Sequence, residues 1–545
     1  MIQEMRKARI GLILDQGLQD WRVKDFIEKS FDSNSYKIEC LIIQNSYVHQ
    51  SLKPSKLINK YFFQTILFFE KYFVRRYIQT SDFFKNHNIE KINIKKINVN
   101  SSISCEDLTR EYSEKDLDEI RKENLDLFVN FGASSIKGEL LEVSPHGVIS
   151  LQYGNIDDHK KGPPGFWEVL NKEKTTNFFI QSNFEKLNKE CKILFKGSIP
   201  TNFFFTLNII KLYKKSNIFV HKLLEDIFKN KLPKNIDKST SKNHFITIPN
   251  VSEQTQYILK TSAHLFKKFI RKAKKKKVVW SIGYQFSKDW EDVWNSSFKK
   301  VDNPKNTYFA DPFLFRFRGK DYCFVEHFNF LSNKGHISAL EINAEETKFL
   351  GAAINEDFHL SYPNIFQHND EIYMCPESSA AKDIRLYKCN NFPLDWKLEK
   401  ILIQDIHAVD TNIFRLDGKW WLLSNVDSSK SDEFCSELHL FYSNDLKGND
   451  WKPHPMNPVI FDPKCARNGG MIFQNEELYR VFQVQGWDNY GESFGVSKII
   501  KINEHEYSEE QVFEFSPKLL KKAKGAHTLN SNNGLIVSDC YSFDN

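Results

Sequence analysis

This 545-residue sequence contains no closely spaced pair of cysteines and no long run of apolar residues. Its nine cysteines are an odd number and no two are spaced as Cys-x-x-Cys, which argues against a disulfide framework or a zinc ribbon. The most apolar stretch, 61–74, is interrupted by Glu70 and Lys71 and does not predict a membrane-spanning helix. The apolar run 10–14 is too short for the core of a signal peptide. We therefore expect a cytoplasmic protein with reduced thiols.

Strong net charge and clustered metal ligands are missing as well. The formal net charge of +6 is small for this length, whereas proteins that bind nucleic acid carry a strongly basic face, so we expect no nucleic-acid partner. His327, His336 and His359 are scattered rather than spaced as ligands, so we expect no metal site. What is present is 41% hydrophobic and 14% aromatic residues, which is ample for packed cores. The length predicts about two to four units.

Strand and helix patterns alternate through the first part of the chain. Apolar runs typical of strands lie at 9–15, 38–43, 89–99, 125–132 and 147–153. This rhythm predicts an open, Rossmann-like α/β sheet over 1–235, with a closing helix at 206–230. Residues 56–84 contain no Gly or Pro and have apolar residues at helical spacing, which predicts an aromatic-rich helix packed on this domain.

Residues 236–277 differ in character from the sequence on either side. They lack a sustained apolar period and end in a run of lysines, which predicts a basic linker that finishes in a short amphipathic helix. The basic stretch 267–277 could hold the protein at an anionic membrane surface, where each Lys or Arg contributes about 1 kcal/mol. A solvated linker explains the same composition.

From residue 278 onward the sequence repeats a short hairpin pattern. The runs DPFLF, YPNIF and DTNIF begin at Asp311, Tyr362 and Asp410, and in each the first residue precedes the aromatic residue of the following strand by eleven positions. Weaker copies begin at Gly469 and His527, and successive starts lie 51, 48, 59 and 58 residues apart. A hairpin that recurs at this spacing predicts four-stranded blades, so we expect a five-bladed β-propeller over 278–545. The five starting residues should converge at the mouth of its channel.

The run SPHGVISLQYGNIDDHKKGPPGFWEVLNKEKTTNFFIQ, residues 144–181, resembles the formyltransferase family that includes methionyl-tRNA and sugar N-formyltransferases. The resemblance implies a cleft for 10-formyltetrahydrofolate and an Asn-x-His pair with a downstream Asp. Here Ser150 and Gln152 stand in place of Asn and His, and Lys189 or Glu190 in place of Asp. Because Gln152 cannot transfer protons, we expect no formyl transfer by the usual mechanism. The loop at Gly162 is retained, which fits a binding cleft or a turn that begins a packed helix.

The runs ADPFLFRFRGKDYCFVEH and VDTNIFRLDGKWWLLSN resemble the inner strands of family-43-type glycoside hydrolases. The wider set YFADPFLF, YPNIF, MCPESS, RLYKC, KCARNGG and HTLN more closely resembles the N-terminal domain of glucosamine inositolphosphorylceramide transferases. The hydrolase resemblance implies that Asp311 is the catalytic base and that Asp410 tunes pKa. The expected acid is replaced by a segment that begins at Arg467, and Glu326 and Glu377 at second-strand ends are candidate substitutes.

The predicted mouth has the side chains of a site for a glycan or a sugar phosphate. Carboxylates accept hydrogen bonds from sugar hydroxyls, an aromatic face such as that of Tyr362 stacks on a pyranose, and Arg467 can hold a phosphate. His527 is a candidate proton shuttle or a structural histidine, and Asn530 is a further candidate for substrate binding.

Three functions are compatible with these patterns. The first is a transferase of glycan biosynthesis that acts on a sugar nucleotide, glycan or glycolipid at the propeller mouth and needs no certain cofactor. The second is an amino-sugar N-formyltransferase that uses 10-formyltetrahydrofolate, with the propeller as an accessory. The third is a non-enzymatic glycan-binding scaffold.

Overall fold

The computed structural model divides the chain into two compact units, Met1–His264 and Leu265–Asn545. The structure describes residues 6–17, 21–46, 54–74, 85, 87–88, 92–103, 109–132, 134–154, 160–183, 192–229, 237–238, 245–246, 248–294, 298–516 and 523–544. The division falls inside the stretch 236–277, within a long helix. None of the helices in these described segments is long and apolar enough to cross a membrane.

The first unit is built on a ten-stranded mixed sheet. Its strands, together with those of a separate two-stranded pair β8–β12, are β1 (Ala8–Asp15), β2 (Tyr36–Ser46), β3 (Lys95–Ile103), β4 (Thr109–Tyr112), β5 (Leu127–Asn130), β6 (Ser135–Ile136), β7 (Val148–Tyr153), β8 (Lys160–Lys161), β9 (Thr175–Asn183), β10 (Lys192–Pro200), β11 (Asp237–Lys238) and β12 (Phe245–Ile246). The order in the sheet is β11-β10-β9-β7-β5-β1-β2-β3-β4-β6.

The centre of this sheet is parallel, as the alternation of strands and helices predicts. β3, β2, β1, β5 and β7 run parallel, whereas β9, β10 and β11 extend one side with antiparallel pairs. β1 reads ARIGLILD and is almost wholly buried, because a central parallel strand is covered on both faces and so needs a continuous apolar run. The α/β interpretation is thus confirmed in its centre, and the sheet as a whole is mixed. A formyltransferase-like fold stays a prediction.

Seven α-helices occur among the described residues. They are α1 (Trp21–Ser30), α2 (Pro54–Val74), α3 (Glu114–Arg121), α4 (Leu140–Val143), α5 (Phe166–Asn171), α6 (Phe205–Phe228) and α7 (Val251–Ala273). The helices predicted at 56–84 and 206–230 correspond to α2 and α6, and residues 75–84 lie outside the described part. The predicted short basic helix is instead α7, 23 residues long, because its inward side finds buried positions at Gln254 and Tyr257.

The second unit consists of five sheets, which confirms the five predicted blades. Its strands are β13 (Val278–Phe286), β14 (Lys299–Lys300), β15 (Thr307–Phe317), β16 (Lys320–Asn329), β17 (Lys334–Ile342), β18 (Thr347–Ile354), β19 (Ser361–His368), β20 (Glu371–Glu377), β21 (Asp383–Asn391), β22 (Asp395–Gln404), β23 (Ala408–Leu416), β24 (Lys419–Val426), β25 (Glu437–Ser443), β26 (Lys452–Pro453), β27 (Ile460–Phe461), β28 (Asn468–Gln474), β29 (Glu477–Gly486), β30 (Asn489–Ile502), β31 (Tyr507–Glu514), β32 (Leu529–Asn532) and β33 (Leu535–Phe543).

Four blades are continuous in sequence, and the fifth joins the two ends of the propeller. The blades β15–β18, β19–β22, β23–β26 and β28–β31 are each formed by consecutive strands. The fifth sheet has the order β14-β13-β33-β32. In it β13 pairs antiparallel with β33 along nine residues, from Val278 opposite Phe543 to Phe286 opposite Leu535. This pairing closes the ring.

The inner strands of three blades share a bulge at the residue that begins each sequence repeat. Asp311, Tyr362 and Asp410 have φ values of +48°, +47° and +48°, and the pairing register shifts at each of them. A non-glycine residue at positive φ costs about 1–3 kcal/mol and persists only where the surrounding structure enforces it. A bulge re-aims side chains away from the regular alternation of a strand. The repeated pattern therefore encodes a repeated bulge.

Candidate functional site at the propeller mouth

Four carboxyl groups come from the inner two strands of three blades. Asp311 and Asp410 are the bulge residues of β15 and β23, and both are buried. Glu326 on β16 pairs with the residue before the first bulge, and Glu377 at the end of β20 pairs with Ser361, the residue before the second. These carboxyl groups interact electrostatically. The charges of Asp311, Glu377 and Asp410 raise the pKa of Glu326, and the charges of Asp410 and Asp311 raise the pKa of Glu377. The structure thus brings the four predicted acids together.

Asp410 lies at the centre of a dense set of polar contacts. Its Oδ2 accepts hydrogen bonds from Arg467 Nε at 2.6 Å and from Gln483 Nε2 at 3.0 Å. The Glu377 carboxyl group also hydrogen-bonds to Asp410. Burial, and next the charge of Asp410, raises the pKa of Glu377 to about 8, although Arg467 opposes the rise. At neutral pH Glu377 is therefore mostly protonated and can donate to Asp410.

Asp311 is held between two neighbouring blades. Its Oδ2 accepts the backbone N–H of Tyr362 at 3.3 Å, and its Oδ1 lies 3.4 Å from His527 Nε2. Its own backbone N–H donates to Asp539 Oδ2 at 3.1 Å. Burial raises the pKa of Asp311 to about 7, against the charge of His527, and Asp539 and Asp410 add to the rise. A carboxylate with this pKa can accept a proton near neutral pH.

His527 links Asp311 to a second aspartate. Its Nδ1 lies 2.8 Å from Asp539 Oδ1, which also accepts the backbone N–H groups of His527 and Thr528. Burial disfavours the imidazolium, but the charge and hydrogen bond of Asp539 and the charge of Asp311 raise the pKa of His527. The Trp280 ring stacks on the imidazole with 4.0 Å between centroids. The histidine is thus fixed in orientation, in line with either of its predicted roles.

Glu326 is a buried carboxyl group whose pKa is also raised. Burial raises its pKa well above the ordinary value, and the charges of Asp311 and Glu377 raise it further. Its Oε1 lies 3.6 Å from His359 Nε2, and burial lowers the pKa of that histidine. A protonated Glu326 beside a neutral imidazole is the arrangement these shifts favour.

Arg467 is partly committed to the protein. Nε binds Asp410, Nη1 lies 3.8 Å from Cys435 Sγ, and the guanidinium carbon lies 4.8 Å from the centre of the Tyr490 ring. Nη2 makes no hydrogen bond with any described residue. The side chain is 13% exposed, so this nitrogen can still meet an anion from solvent.

Two of the predicted binding residues have structural contacts instead. Tyr362 has no exposed surface, because its ring packs against Phe313 and its hydroxyl donates to Asn412 Oδ1 at 3.0 Å. Its face is therefore not presented to a sugar ring. Asn530 accepts from Leu314 N and donates to Met471 O, which ties the fifth blade to both of its neighbours.

Asp311, His527 and Asp539 also have the composition of a metal site. Their ligand-type atoms all lie within 4.8 Å of one another, and all three residues are buried. Hydrogen bonds within the group already engage the Asp539 oxygens and His527 Nδ1, as described above. The expectation of no metal stays a prediction.

Several contributors to this cluster were not identified from the sequence. Asp539 and Gln483 come from the second strands of the last two blades, and Trp280 and Tyr490 from strands outside the hairpin repeat. The sequence does contain a pattern that identifies the site residues of the second strands. In the first three blades the residue 15 positions after the bulge is polar, and these residues are Glu326, Glu377 and Asn425.

The residues of the formyltransferase resemblance lie in the first unit. Ser150 and Gln152 are on β7, opposite Gln181 and Phe179 of β9. Ser150 Oγ is buried with no hydrogen-bond partner among the described residues. Gly162 lies in the loop before α5, whose Phe166 is fully buried. Lys189 and Glu190 lie outside the described residues.

Comparison with known proteins points to the second unit. The family model described as "Glucosamine inositolphosphorylceramide transferase 1, N-terminal" matches residues 293–536. The chain is 37% identical over 245 residues to glucosamine inositolphosphorylceramide transferase 1 of Arabidopsis thaliana, which covers 44% of this chain and 31% of that protein. It is 35% identical over 257 residues to the protein of the same name from Oryza sativa subsp. japonica, with 42% and 34% covered. The chain thus spans about a third of the length of these relatives.

Solved structures match parts of the chain at low scores. A family 117 glycoside hydrolase of Zobellia galactanivorans covers 48% of this chain and 90% of its own length, with 13% identity and a TM-score of 0.33. A phosphoribosylglycinamide formyltransferase from Anaplasma phagocytophilum covers 44% of this chain and 100% of its own length, with 12% identity and a TM-score of 0.28. The predicted resemblance is confirmed for the propeller, over the segment that matches the N-terminal domain of the glucosamine inositolphosphorylceramide transferases.

Proposed function

We propose that this protein is a transferase of glycan or glycolipid assembly with its site at the propeller mouth. The observation that carries the proposal is the cluster of four carboxyl groups, of which three have a raised pKa, beside an arginine with one uncommitted nitrogen. Groups with pKa values displaced towards neutrality are suited to proton transfer and concentrate at functional sites.

Each group has a separate role in this proposal. Asp311 accepts the proton of an acceptor hydroxyl, and the His527–Asp539 pair orients it. Glu377, protonated and hydrogen-bonded to Asp410, donates to the substrate or to its leaving group. Nη2 of Arg467 holds a phosphate oxygen of a sugar donor or of a phospholipid acceptor, since charge-assisted hydrogen bonds suit that ion.

The names of the relatives support a sugar-transfer reaction on an inositol phospholipid. Those proteins are named for glucosamine and inositolphosphorylceramide, and their match to this chain covers its propeller. We propose the same substrate classes here, an amino-sugar donor and a lipid-linked inositol phosphate. The mouth described above combines acceptors for sugar hydroxyls with a cation for phosphate.

A turnover assay with nucleotide sugars and inositol phospholipids tests the proposal. Asp311→Asn should lower kcat by about 100- to 10,000-fold, the usual contribution of a general base. The activity of the wild type should rise as the pH passes through about 7, because Asp311 must lose its proton to act. Arg467→Ala should chiefly raise KM for the phosphorylated substrate.

The matched control is Asp383→Asn. Asp383 is a buried aspartate of the propeller that pairs with Arg385 at 2.8 Å, much as Asp410 pairs with Arg467. Its variant should leave turnover unchanged. Full turnover in the Asp311→Asn, Asp410→Asn double variant would exclude the site. Tight oligosaccharide binding without turnover of any donor would instead favour a glycan-binding scaffold.

A further inference from the structure

Helix α2 exposes a continuous aromatic face. Tyr61, Phe68, Phe69 and Tyr72 are between 58% and 71% exposed, and Ile58 extends the same side by one turn. Their spacing of three, four and seven residues places them along one side of the helix. Isolated apolar residues at a surface are ordinary, but a contiguous apolar face marks an interaction site.

The opposite side of α2 is firmly attached to the first unit. Phe63 and Ile66 pack in a core cluster that also contains Tyr257 of α7. The buried Glu70 accepts hydrogen bonds from the Tyr257 hydroxyl and, at 2.9 Å, from both the backbone N–H and the hydroxyl of Thr206. Because α2 is held in this way, its exposed aromatic residues are a fixed feature of the surface.

Helix α7 lies against α2 and also exposes an apolar face. Gln254 Nε2 donates to the backbone oxygen of Asn59 at 2.8 Å, and Tyr257 reaches Glu70. On its outward side, Leu259, Phe266 and Phe269 are 64%, 63% and 66% exposed. An amphipathic helix whose apolar face points outward has the form of a helix that lies in a membrane interface.

The charged residues in the last part of α7 and just after it have a single sign. Residues 260–277 contain nine Lys or Arg residues and no Asp or Glu. Lys268 pairs with Asp488 and Arg271 stacks on Phe543, whereas Lys267, Lys272 and Lys274 are exposed. Two copies of this chain that met through this surface would bring like charges together, so an anionic partner complements it better.

We infer that the outward side of α7 from Phe266 onward, with the lysines of 267–277, forms a surface that binds an anionic lipid bilayer. The aromatic and aliphatic side chains enter the headgroup region, and the lysines meet the lipid phosphates. The inference rests on the proposed function in one respect, since an enzyme that acts on a glycolipid must reach it at a membrane.

Vesicle sedimentation without any substrate tests the surface independently of catalysis. Wild-type protein should bind vesicles of phosphatidylcholine with 30% phosphatidylserine, and binding should fall when NaCl is raised from about 0.1 to 0.5 M, because salt screens the charges. Phe266→Ser with Phe269→Ser should lower the partition coefficient about 100-fold. Replacement of Lys274, Lys275, Lys276 and Lys277 by Gln should lower it about 1,000-fold on anionic vesicles, because each lysine contributes about 1 kcal/mol.

The matched control replaces two exposed apolar residues of the propeller, Leu331→Ser with Phe473→Ser, which are 81% and 69% exposed. This variant should bind vesicles as the wild type does. Failure of the wild type to bind anionic vesicles, or equal binding by all variants, would overturn the inference. So would a dimer in sedimentation velocity that the Phe266→Ser, Phe269→Ser variant dissociates, because the occupant would then be a second copy. None of these results depends on turnover.

Discussion

Several acidic residues are buried around the propeller mouth, and the ionisation of each can be tested by a single substitution. Each carboxyl group that is moved from water into the propeller favours its protonated form, and each neighbouring carboxylate strengthens that preference. Asp410 is compensated by Arg467 and Gln483, and Asp311 by His527. Among the described residues, the partner that can compensate Glu326 is the imidazole of His359, at 3.6 Å. Ionisation of Glu326 should therefore lower the stability of the folded state.

We predict that Glu326→Gln makes the protein less sensitive to alkaline pH. The pKa of Glu326 is raised on folding, so the folded state holds this proton more tightly and the free energy of unfolding falls as pH rises above the unfolded pKa. Gln cannot ionise. The free energy of unfolding of the variant relative to the wild type should therefore rise between pH 5 and pH 8.

Urea unfolding at the two pH values measures this difference. The control is Glu477→Gln, since hydrogen bonds from Lys498 and Tyr479 lower the pKa of Glu477 and place its titration below this window. Parallel pH dependence in the wild type and Glu326→Gln would contradict the predicted ionisation.

At the scale of the structural element, the bulges of the inner strands decide where functional side chains lie. The fourth blade has two glycines here: Gly469 begins its repeat, and the next residue, Gly470, has φ +138°, where a Cβ would lie 2.2 Å from the backbone oxygen of Leu529. At Gly470 the inner strands β28 and β32 approach each other so closely that no side chain fits at this position. Glycine is thus required here for space as well as for its backbone conformation.

We predict that Gly470→Ala destabilises the propeller by about 3 kcal/mol or more, because overpacking adds to backbone strain. Gly418→Ala is the control: its φ is +76°, but no heavy atom lies within 4 Å of a Cβ there. That variant should cost about 1 kcal/mol. Thermal unfolding followed by circular dichroism compares the two, and equal melting temperatures would show that the fourth inner strand can move.

The elements also show what the sequence could and could not predict. The hairpins were predictable because both strands and their turn lie within about 20 residues, and their recurrence gave the blades and placed Asp311, Asp410, Glu326 and Glu377 near one another. The partner of β13 was not predictable, because β33, the second strand of the weak fifth copy, lies about 250 residues later and β13 itself has no repeat pattern. Contacts of that separation leave no local signal in a single sequence.

The surroundings of individual side chains were harder to predict than the pairing of strands. Tyr362 begins its repeat as Asp311 and Asp410 do, but its ring finds a pocket formed by Phe313 and the neighbouring blade and is buried there. Whether a residue at this place faces the channel depends on the packing between adjacent blades. The salt bridge of Arg467 with Asp410 also joins two blades, so it too depends on how adjacent blades pack.

At the scale of the whole molecule, the two units differ in the ionisable side chains that their predicted sites contain. The propeller combines acids, an arginine and a histidine in one buried cluster. The strand β7 of the first unit instead presents Ser150 and Gln152 where the formyltransferase resemblance implies Asn and His. We therefore predict no formyl transfer from 10-formyltetrahydrofolate to amino sugars, because neither residue can carry out the required proton transfer at neutral pH.

Release of tetrahydrofolate in the presence of amino-sugar nucleotides measures this activity. The informative control is Gln152→Ala. Robust transfer that survives this substitution would mean that a formylating site exists elsewhere in the chain. Binding of folate without transfer would identify the first unit as a retained cleft.

Ring closure through β13 and β33 has a consequence for how the protein is made. At about 5–20 residues per second, β33 leaves the ribosome on the order of 10–50 s after β13. Throughout that interval the nascent propeller presents β13, VVWSIGYQF, as an unpaired edge with strong β propensity. Such an edge can recruit strands from other chains, so the cell must either shield it or complete synthesis quickly. Synthesis of β33 therefore ends the period in which the edge of β13 is exposed, in addition to completing the fold.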